Sequence, residues 1–141
     1  YLCRRRLDQA ITRQHMLFER PVQFEQLNAI YEWAESTGEG SLSSLPLSPE
    51  PGVWDRVNAE QGNCLGKKCT YFDKCHWQAA KRRMQSGQLL IVNHALFFSD
   101  LALRMAGVNY LPKYDAVIFD EAHTIEDVAE AERLAVLDAE P

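Results

Sequence analysis

Four cysteines and one acidic motif are the residues of this 141-residue chain whose types and spacing could do chemistry. The cysteines are Cys3, Cys64, Cys69 and Cys75, which gives the spacing C-x60-C-x4-C-x5-C. The last three lie within the twelve residues "CLGKKCTYFDKC". Cysteines grouped in this way could form disulfides, bind one metal ion, hold an iron–sulfur cluster, or remain free.

The spacing favours one of these alternatives without deciding among them. Two disulfides suit a short secreted domain, but the first residues lack the apolar stretch of a secretory signal. Structural zinc usually takes C-x2-C pairs or gaps of up to four residues, so the x5 gap is wide for one ion. A cluster with four iron corners accepts irregularly spaced thiolates, and it is the interpretation we favour, with zinc as the alternative. Free cysteines are disfavoured because three in twelve residues is a poor core pattern.

The acidic motif is "AVIFDEAH", residues 116–123. A carboxylate directly after a buried parallel strand lies on the ligand side of an α/β sheet. There Asp120 could hold the Mg²⁺ that bridges nucleotide phosphates, Glu121 could orient or deprotonate an attacking water, and His123 could sense the γ-phosphate. The alternative is an acid pair at a helix start without a chemical role. The chain has no G-x-x-x-x-G-K-[ST] loop, so we expect that loop to precede Tyr1 and this segment alone not to hydrolyse ATP.

The net charge of −5 conceals two oppositely charged regions. Residues 61–83 carry six Lys or Arg against one acid, and a second basic run, residues 4–6, directly follows Cys3. Residues 115–140 carry nine acids against one Arg. Basic residues interleaved with aromatic rings are typical of single-stranded nucleic acid binding. The alternative is that the rings pack around the cysteines and the charges form a solvated face.

Hydrophobic periodicity predicts the elements that position these residues. The predicted helices cover residues 4 to about 20, Pro21 to about 35, 76–86, 94–105 and 124 onward. A short helical turn is predicted around residues 54–59. Residues 36–52 are predicted to be a surface loop. Residues 88–93 and 115–120 are predicted strands of a parallel sheet, with His94 at a strand end. The predicted fold class is α/β: a mainly helical, cysteine-bearing part followed by part of a parallel-sheet domain.

Several segments together resemble a known family. "YLCRRRL", "CLGKKCTYFDKC", "LLIVNHALFFSDL" and "VIFDEAH" occur in the order found in iron–sulfur superfamily 2 DNA helicases, the DinG-like proteins and their XPD relatives. The resemblance implies a 4Fe–4S cluster held by the four cysteines in residues 1–87, inserted into a RecA-like motor domain. It also implies that residues 88–123 belong to that domain, with Mg²⁺ and ATP at the DEAH motif.

The same resemblance implies partners for the chain. Similar proteins move 5′ to 3′ on single-stranded DNA and open forked duplexes, with the rest of the helicase chain as motor. The basic and aromatic residues then become candidate DNA contacts: Arg4, Arg5, Tyr71, Lys81, Arg82 and Arg83. Residues 124–141 resemble the first helix of an arch-like insertion. We expect a cytoplasmic, nucleoid-associated bacterial protein without a membrane segment, since no apolar run nears the roughly 20 residues of a membrane span.

Overall fold

The structure, a computed structural model, describes the backbone of residues 1–137 and the side chains of residues 1–131 other than Gln61. The chain divides into two compact units, residues 1–82 and the residues from Arg83 on. The described part is mainly helical. None of its helices is long and apolar enough to cross a lipid bilayer. The expected arch-like segment lies partly outside the described residues.

Three helices build the core of the first unit. Helices α1 (Arg4–Leu17) and α2 (Pro21–Ser36) confirm the predicted periodicity, and Pro21 starts α2 where a missing N–H costs no helical hydrogen bond. Helix α3 (Pro51–Val57) confirms the predicted helical turn, but it begins earlier, inside the predicted loop. The buried apolar side chains are Leu2, Leu7, Ala10, Phe18, Leu27, Ile30, Ala34, Leu45, Val53, Trp54 and Val57. Burying one such Leu, Ile or Val contributes about 1.5–3 kcal/mol.

Backbone hydrogen bonds tie the first residues of the chain into this unit. They run from Leu2 N–H to the Gly40 carbonyl (2.7 Å), from Cys3 N–H to the Val57 carbonyl (2.8 Å), and from Ala59 N–H to the Tyr1 carbonyl (2.8 Å). Leu2 and Asn58 form an isolated antiparallel bridge. The segment before α1 is therefore fixed to the chain that leads out of α3 towards Cys64.

Gly40 has a structural role inside the loop predicted from composition. Its φ of 61° lies in the left-handed region, which strains any residue with a Cβ. A Cβ at this position would come within 2.4 Å of the His76 ring carbons. Gly40 therefore forms a turn, lies close to the His76 ring and accepts a hydrogen bond from Leu2, the residue before Cys3.

Helix α4 (His76–Ser86) starts directly after Cys75 and ends before Gly87, as the sequence predicted. The Cys75 carbonyl accepts a 2.9 Å hydrogen bond from Ala79 N–H, so this cysteine is part of the helix start. The division between the two units falls within α4, between Arg82 and Arg83.

Two helices dominate the second unit. Helix α5 (His94–Met105) is capped by the Asn93 side chain, which accepts from Leu96 N–H at 2.8 Å, and it packs against α6 (Ile125–Leu137). Aromatic rings gather beside α5: the Phe97 and Phe119 centroids are 5.2 Å apart, and Phe98 stacks on Phe119 at 6.1 Å. The predicted helices at these positions are confirmed.

The predicted strands at residues 88–93 and 115–120 are wrong. Within residues 1–137, neither segment forms a strand, and no sheet is present. Ile91 and Ile118 are 93% and 95% exposed, although both were expected to be buried. A parallel strand needs hydrogen-bonded neighbours and helices over both faces, and the described residues supply neither for these segments. The α/β prediction therefore holds only for its helical part.

Asp100 organises the loop after α5. Its carboxylate accepts from the Tyr110 and Leu111 N–H groups at 2.7 Å each and from Arg104 Nε at 2.5 Å, and the residue is 1% exposed. Burial opposes ionisation, but the hydrogen bonds from Arg104, Leu111 and Tyr110 outweigh it and lower the pKa of Asp100. The paired carboxylate thus holds residues 110–111 against the helix.

Replacing Gly40 by Ala tests the close approach to His76. We expect Gly40→Ala to lower the free energy of unfolding by about 2–5 kcal/mol, because left-handed strain and overpacking add. Chemical denaturation followed by circular dichroism measures the change. Gly38→Ala is the matched control, since nothing lies within 4 Å of its added Cβ. Equal stability of the two variants would contradict the assigned role of Gly40.

Candidate metal centre and acidic motif

All four cysteines line one pocket of the first unit. The pocket brings Cys3 together with Cys64, Cys69 and Cys75 across the long gap in sequence, and its wall also includes Phe72. Each cysteine is partly exposed, and all four are free thiols. The structure therefore supports the predicted convergence of the cysteines and gives no support to the disulfide alternative.

Short turns set the positions of the three cysteines in the loop. Cys64 follows a 3₁₀ turn at Gln61–Asn63, and Cys69 follows a second at Gly66–Lys68. Cys69 N–H donates to the Gly66 carbonyl at 3.0 Å, and Cys75 N–H donates to the Phe72 carbonyl at 3.3 Å. These turns direct successive thiols into the same pocket without a regular helix or strand.

The donor set does not match a single metal ion. Among the described residues, no three His, Cys, Asp or Glu side chains are arranged to hold one ion. Four thiols nevertheless share a pocket. A cluster with several metal corners separates its ligands more widely than one tetrahedral zinc does. Four thiols lining one pocket are consistent with a cluster.

Protein N–H groups around the pocket also suit a sulfur-rich group. Cys64 Sγ accepts from Gly66 N–H at 3.4 Å and from Gln78 Nε2 at 3.6 Å. The indole N–H of Trp77, which also lines the pocket, is a buried donor with no protein partner. An unpaired buried donor is costly, and thiolate or sulfide would accept its hydrogen bond.

The Cys3 thiol titrates differently from an isolated cysteine. Burial raises the pKa of Cys3, a hydrogen bond from Arg6 N–H and the charge of Arg5 lower it, and the charges of Cys75 and Cys69 raise it again. The net direction is upward. Because thiolates are the metal-binding form, a cationic centre among these four sulfurs would offset their mutual repulsion.

The arginines after Cys3 bind the chain that precedes Cys64. Arg5 Nη2 donates to the Asn63 carbonyl at 2.7 Å, and Arg6 donates to the Asn58 and Asp55 carbonyls at 2.6 Å each. Arg4 pairs with Glu35 at 2.5 Å. Arg4 and Arg5, which are predicted DNA contacts, also make these intrachain contacts. They hold residues 55–63 close to Cys3.

The aromatic residues near the cysteines pack within the unit. The Tyr71 hydroxyl donates to the Asp8 carboxylate on α1, and this bond and the Asp8 charge raise the pKa of Tyr71. The Trp77 ring lies edge-on to Tyr1 at 6.2 Å, and Lys81 Nζ lies 5.0 Å from its centroid. Arg82 and Arg83, which are predicted DNA contacts, are exposed residues of α4.

The acidic motif lies on an exposed turn of the second unit. Glu121 has φ 51° and ψ 46°, the only positive φ among the described residues other than glycine. This conformation costs about 1–2 kcal/mol and is found preferentially at functional sites. Glu121 Oε2 lies 3.3 Å from His123 Nδ1, and Asp120 Oδ1 accepts from Glu121 N–H at 3.0 Å. The three predicted residues are therefore adjacent and exposed.

Two neighbours of this turn were not predicted as site residues. Thr124 donates through its N–H (3.1 Å) and its hydroxyl (3.0 Å) to the Glu121 carbonyl. His94 is the first residue of α5 rather than a strand end, and its Nδ1 lies 3.5 Å from the Thr124 hydroxyl. Nothing in the local sequence signals this contact, because thirty positions separate the two residues.

Comparison with known proteins finds relatives that match most of the chain. The chain is 34% identical over 131 residues to the ATP-dependent DNA helicase YoaA of Haemophilus influenzae and 31% identical over 132 residues to YoaA of Escherichia coli K12. Each match covers 92% of this chain and 20% of the relative. The ATP-dependent DNA helicase DinG of E. coli K12 is 27% identical over 99 residues, which is 70% of this chain and 13% of DinG.

The chain is homologous to the YoaA and DinG helicases. It spans about a fifth of the length of the YoaA relatives. No family model and no solved structure matches it. The homology confirms the resemblance to DinG-like proteins.

Removing the Tyr71 hydroxyl tests how the cysteine loop of this YoaA/DinG homologue is held. We expect Tyr71→Phe to free residues 64–75 from α1, so that trypsin cleaves after Lys67, Lys68 or Lys74 several-fold faster. Limited proteolysis with mass spectrometry measures the rates. Tyr31→Phe, at an exposed position on α2, is the matched control. Unchanged cleavage in Tyr71→Phe would show that the bond to Asp8 does not restrain the loop.

Proposed function

We propose that this chain is the cluster-binding and DEAH-containing segment of an ATP-dependent 5′–3′ DNA helicase. The observation that carries the proposal is the convergence of all four cysteines on one pocket in a homologue of YoaA and DinG. In the parent protein, ATP hydrolysis would drive movement along single-stranded DNA and opening of forked duplexes, in DNA repair or replication. A cytoplasmic, nucleoid-associated location follows from the same proposal.

Residues 1–87 would form the cluster domain, with Cys3, Cys64, Cys69 and Cys75 as ligands of a 4Fe–4S cluster. When bound, such a cluster supplies a rigid cross-link and one-electron chemistry. The chain itself prepares the pocket: the arginines of α1 hold the segment before Cys64, and Tyr71 holds the loop between Cys69 and Cys75. Support also comes from the buried Trp77 N–H that lacks a protein acceptor.

Residues 88–123 would belong to the first RecA-like motor domain, and residues 124–141 to an arch-like insertion. In this proposal Asp120 binds the Mg²⁺ of Mg-ATP, Glu121 orients or deprotonates the water, and His123 senses the γ-phosphate. The strained backbone of Glu121 and the Thr124 hydrogen bonds to its carbonyl support a site held in a defined conformation. The 141 residues contain no phosphate-binding loop, so we expect ATP hydrolysis only in the larger protein.

The proposed DNA contacts differ in exposure. Arg4, Arg5 and Tyr71 are partly buried and also bind within the chain, whereas α4 carries the more exposed residues. Lys81, Arg82 and Arg83 follow one another on α4, and the latter two are exposed. A short basic run of this kind suits the phosphate backbone of single-stranded DNA.

Metal analysis tests the cluster. An anaerobically purified sample should be brown, absorb broadly near roughly 400 nm, and contain about four irons and four sulfides per chain. Cys64→Ser should lose most of the iron, because it removes one of four ligands. Zinc is measured in the same samples, because the alternative to the cluster is a non-catalytic nucleic-acid-binding module stabilised by zinc. A colourless protein with one zinc per chain would contradict the helicase assignment.

Salt-dependent binding tests the DNA assignment. We expect Lys81→Ala with Arg82→Ala to weaken single-strand binding and to reduce the slope of log K against log salt by about 0.7 for each phosphate that the variant no longer neutralises. Fluorescence anisotropy with an oligonucleotide measures both. Arg13→Ala with Lys113→Ala removes the same charge at other exposed positions and should leave the slope unchanged. Equal slopes for the two double variants would show that Lys81 and Arg82 do not contact the DNA phosphates.

A further inference from the structure

Cys64 is held by a side chain that no sequence motif indicates. Gln78, the third residue of α4, donates from Nε2 to Cys64 Sγ at 3.6 Å, and it lines the pocket shared by all four cysteines. Gly66 N–H approaches the same sulfur at 3.4 Å. The Gln78 donor belongs to a side chain, so a substitution of Gln78 can remove it without changing the backbone around Cys64.

Helix α4 gives Gln78 a fixed relation to a second cysteine. Gln78 lies three residues after Cys75, whose carbonyl accepts the first hydrogen bond of the helix from Ala79. A shift of α4 would therefore move Cys75 and the Gln78 amide together. The Gln78 contact thus couples the second and fourth cysteines of the chain through one short rigid element.

We propose that Gln78 is a positioning residue for Cys64 and that its N–H···S hydrogen bond raises the reduction potential of the cluster. The inference rests on the cluster of the proposed function. A donor to a ligand sulfur withdraws negative charge and stabilises the reduced state, which carries one more electron than the oxidised state. A partly buried position strengthens this effect, because water competes less for the sulfur.

The chemistry of the amide explains why Gln is suited to this position. Leu would fill similar space but offer no donor, and an ionised Glu would place a second negative charge beside a thiolate. Both substitutions should favour the oxidised cluster. Gln78→Leu removes the donor without adding charge, so its shift reports the hydrogen bond, and Gln78→Glu adds the effect of a negative charge.

Redox titration of the intact cluster-loaded chain tests the proposal. Dithionite, through viologen mediators, gives one electron to each oxidised cluster, and electron paramagnetic resonance follows the reduced form. At the wild-type midpoint, we expect Gln78→Leu to lower the ratio of reduced to oxidised cluster by about tenfold, which corresponds to about 59 mV for one electron. Gln78→Glu should lower the ratio at least as far. Gln9→Leu, at an exposed position on α1, is the matched control and should titrate like wild type.

The outcomes separate this inference from the proposed function. A wild-type chain without iron would overturn the cluster itself. Wild-type potential in a fully loaded Gln78→Leu variant would overturn the role of Gln78 and leave the cluster standing. If both Gln78 variants lose the cluster while Gln9→Leu keeps it, Gln78 supports folding of the pocket, and the proposed tuning of the potential is rejected.

Discussion

The pocket depends on closing a sixty-residue gap between Cys3 and Cys64. Closing a flexible loop of that length costs about 4 kcal/mol in chain entropy. The three backbone hydrogen bonds of residues 1–3 contribute about 1 kcal/mol each, and burial of Leu2, which is 1% exposed, adds about 2 kcal/mol. Those contributions slightly exceed the closure cost, so the contacts of residues 1–3 with the helical core are sufficient to keep Cys3 near the other three cysteines. The Arg5 and Arg6 bonds to residues 55–63 reinforce the same closure.

Local periodicity predicted α1 and α2 well because each of these helices buries apolar side chains in the core of the first unit. Helices α1, α2, α4 and α5 follow their predicted bounds to within a few residues. The strands at 88–93 and 115–120 failed for the opposite reason. A parallel strand forms only beside neighbouring strands, which can lie far away in the sequence. An apolar run shows only that side chains such as Ile118 favour burial.

The sequence predicted the cysteine ligands of the candidate site but not the contacts that hold the surrounding chain in place. Cysteine spacing and motif order indicated which thiols converge, and the pocket agrees. Composition could not reveal that Tyr71 bonds to Asp8, 63 positions away, or that Arg4 pairs with Glu35, 31 positions away. A basic run beside a cysteine has the same composition whether it faces DNA or the protein. Only the positions of its acceptors distinguish the two cases.

The basic residues of α1 and α4 differ in how far they are exposed. The part-buried hydrogen bonds from Arg5 and Arg6 to carbonyls of the first unit contribute about 1.5–3 kcal/mol each, whereas the exposed Arg4–Glu35 pair contributes about 0–1 kcal/mol. Lys81 lies over the Trp77 ring, while Arg82 and Arg83 are exposed on α4. Helix α4 starts at Cys75, carries the Gln78 donor to Cys64 and presents the basic run. The proposed contacts Lys81 and Arg82 and the proposed cluster are therefore linked through residues of a single helix in the first unit.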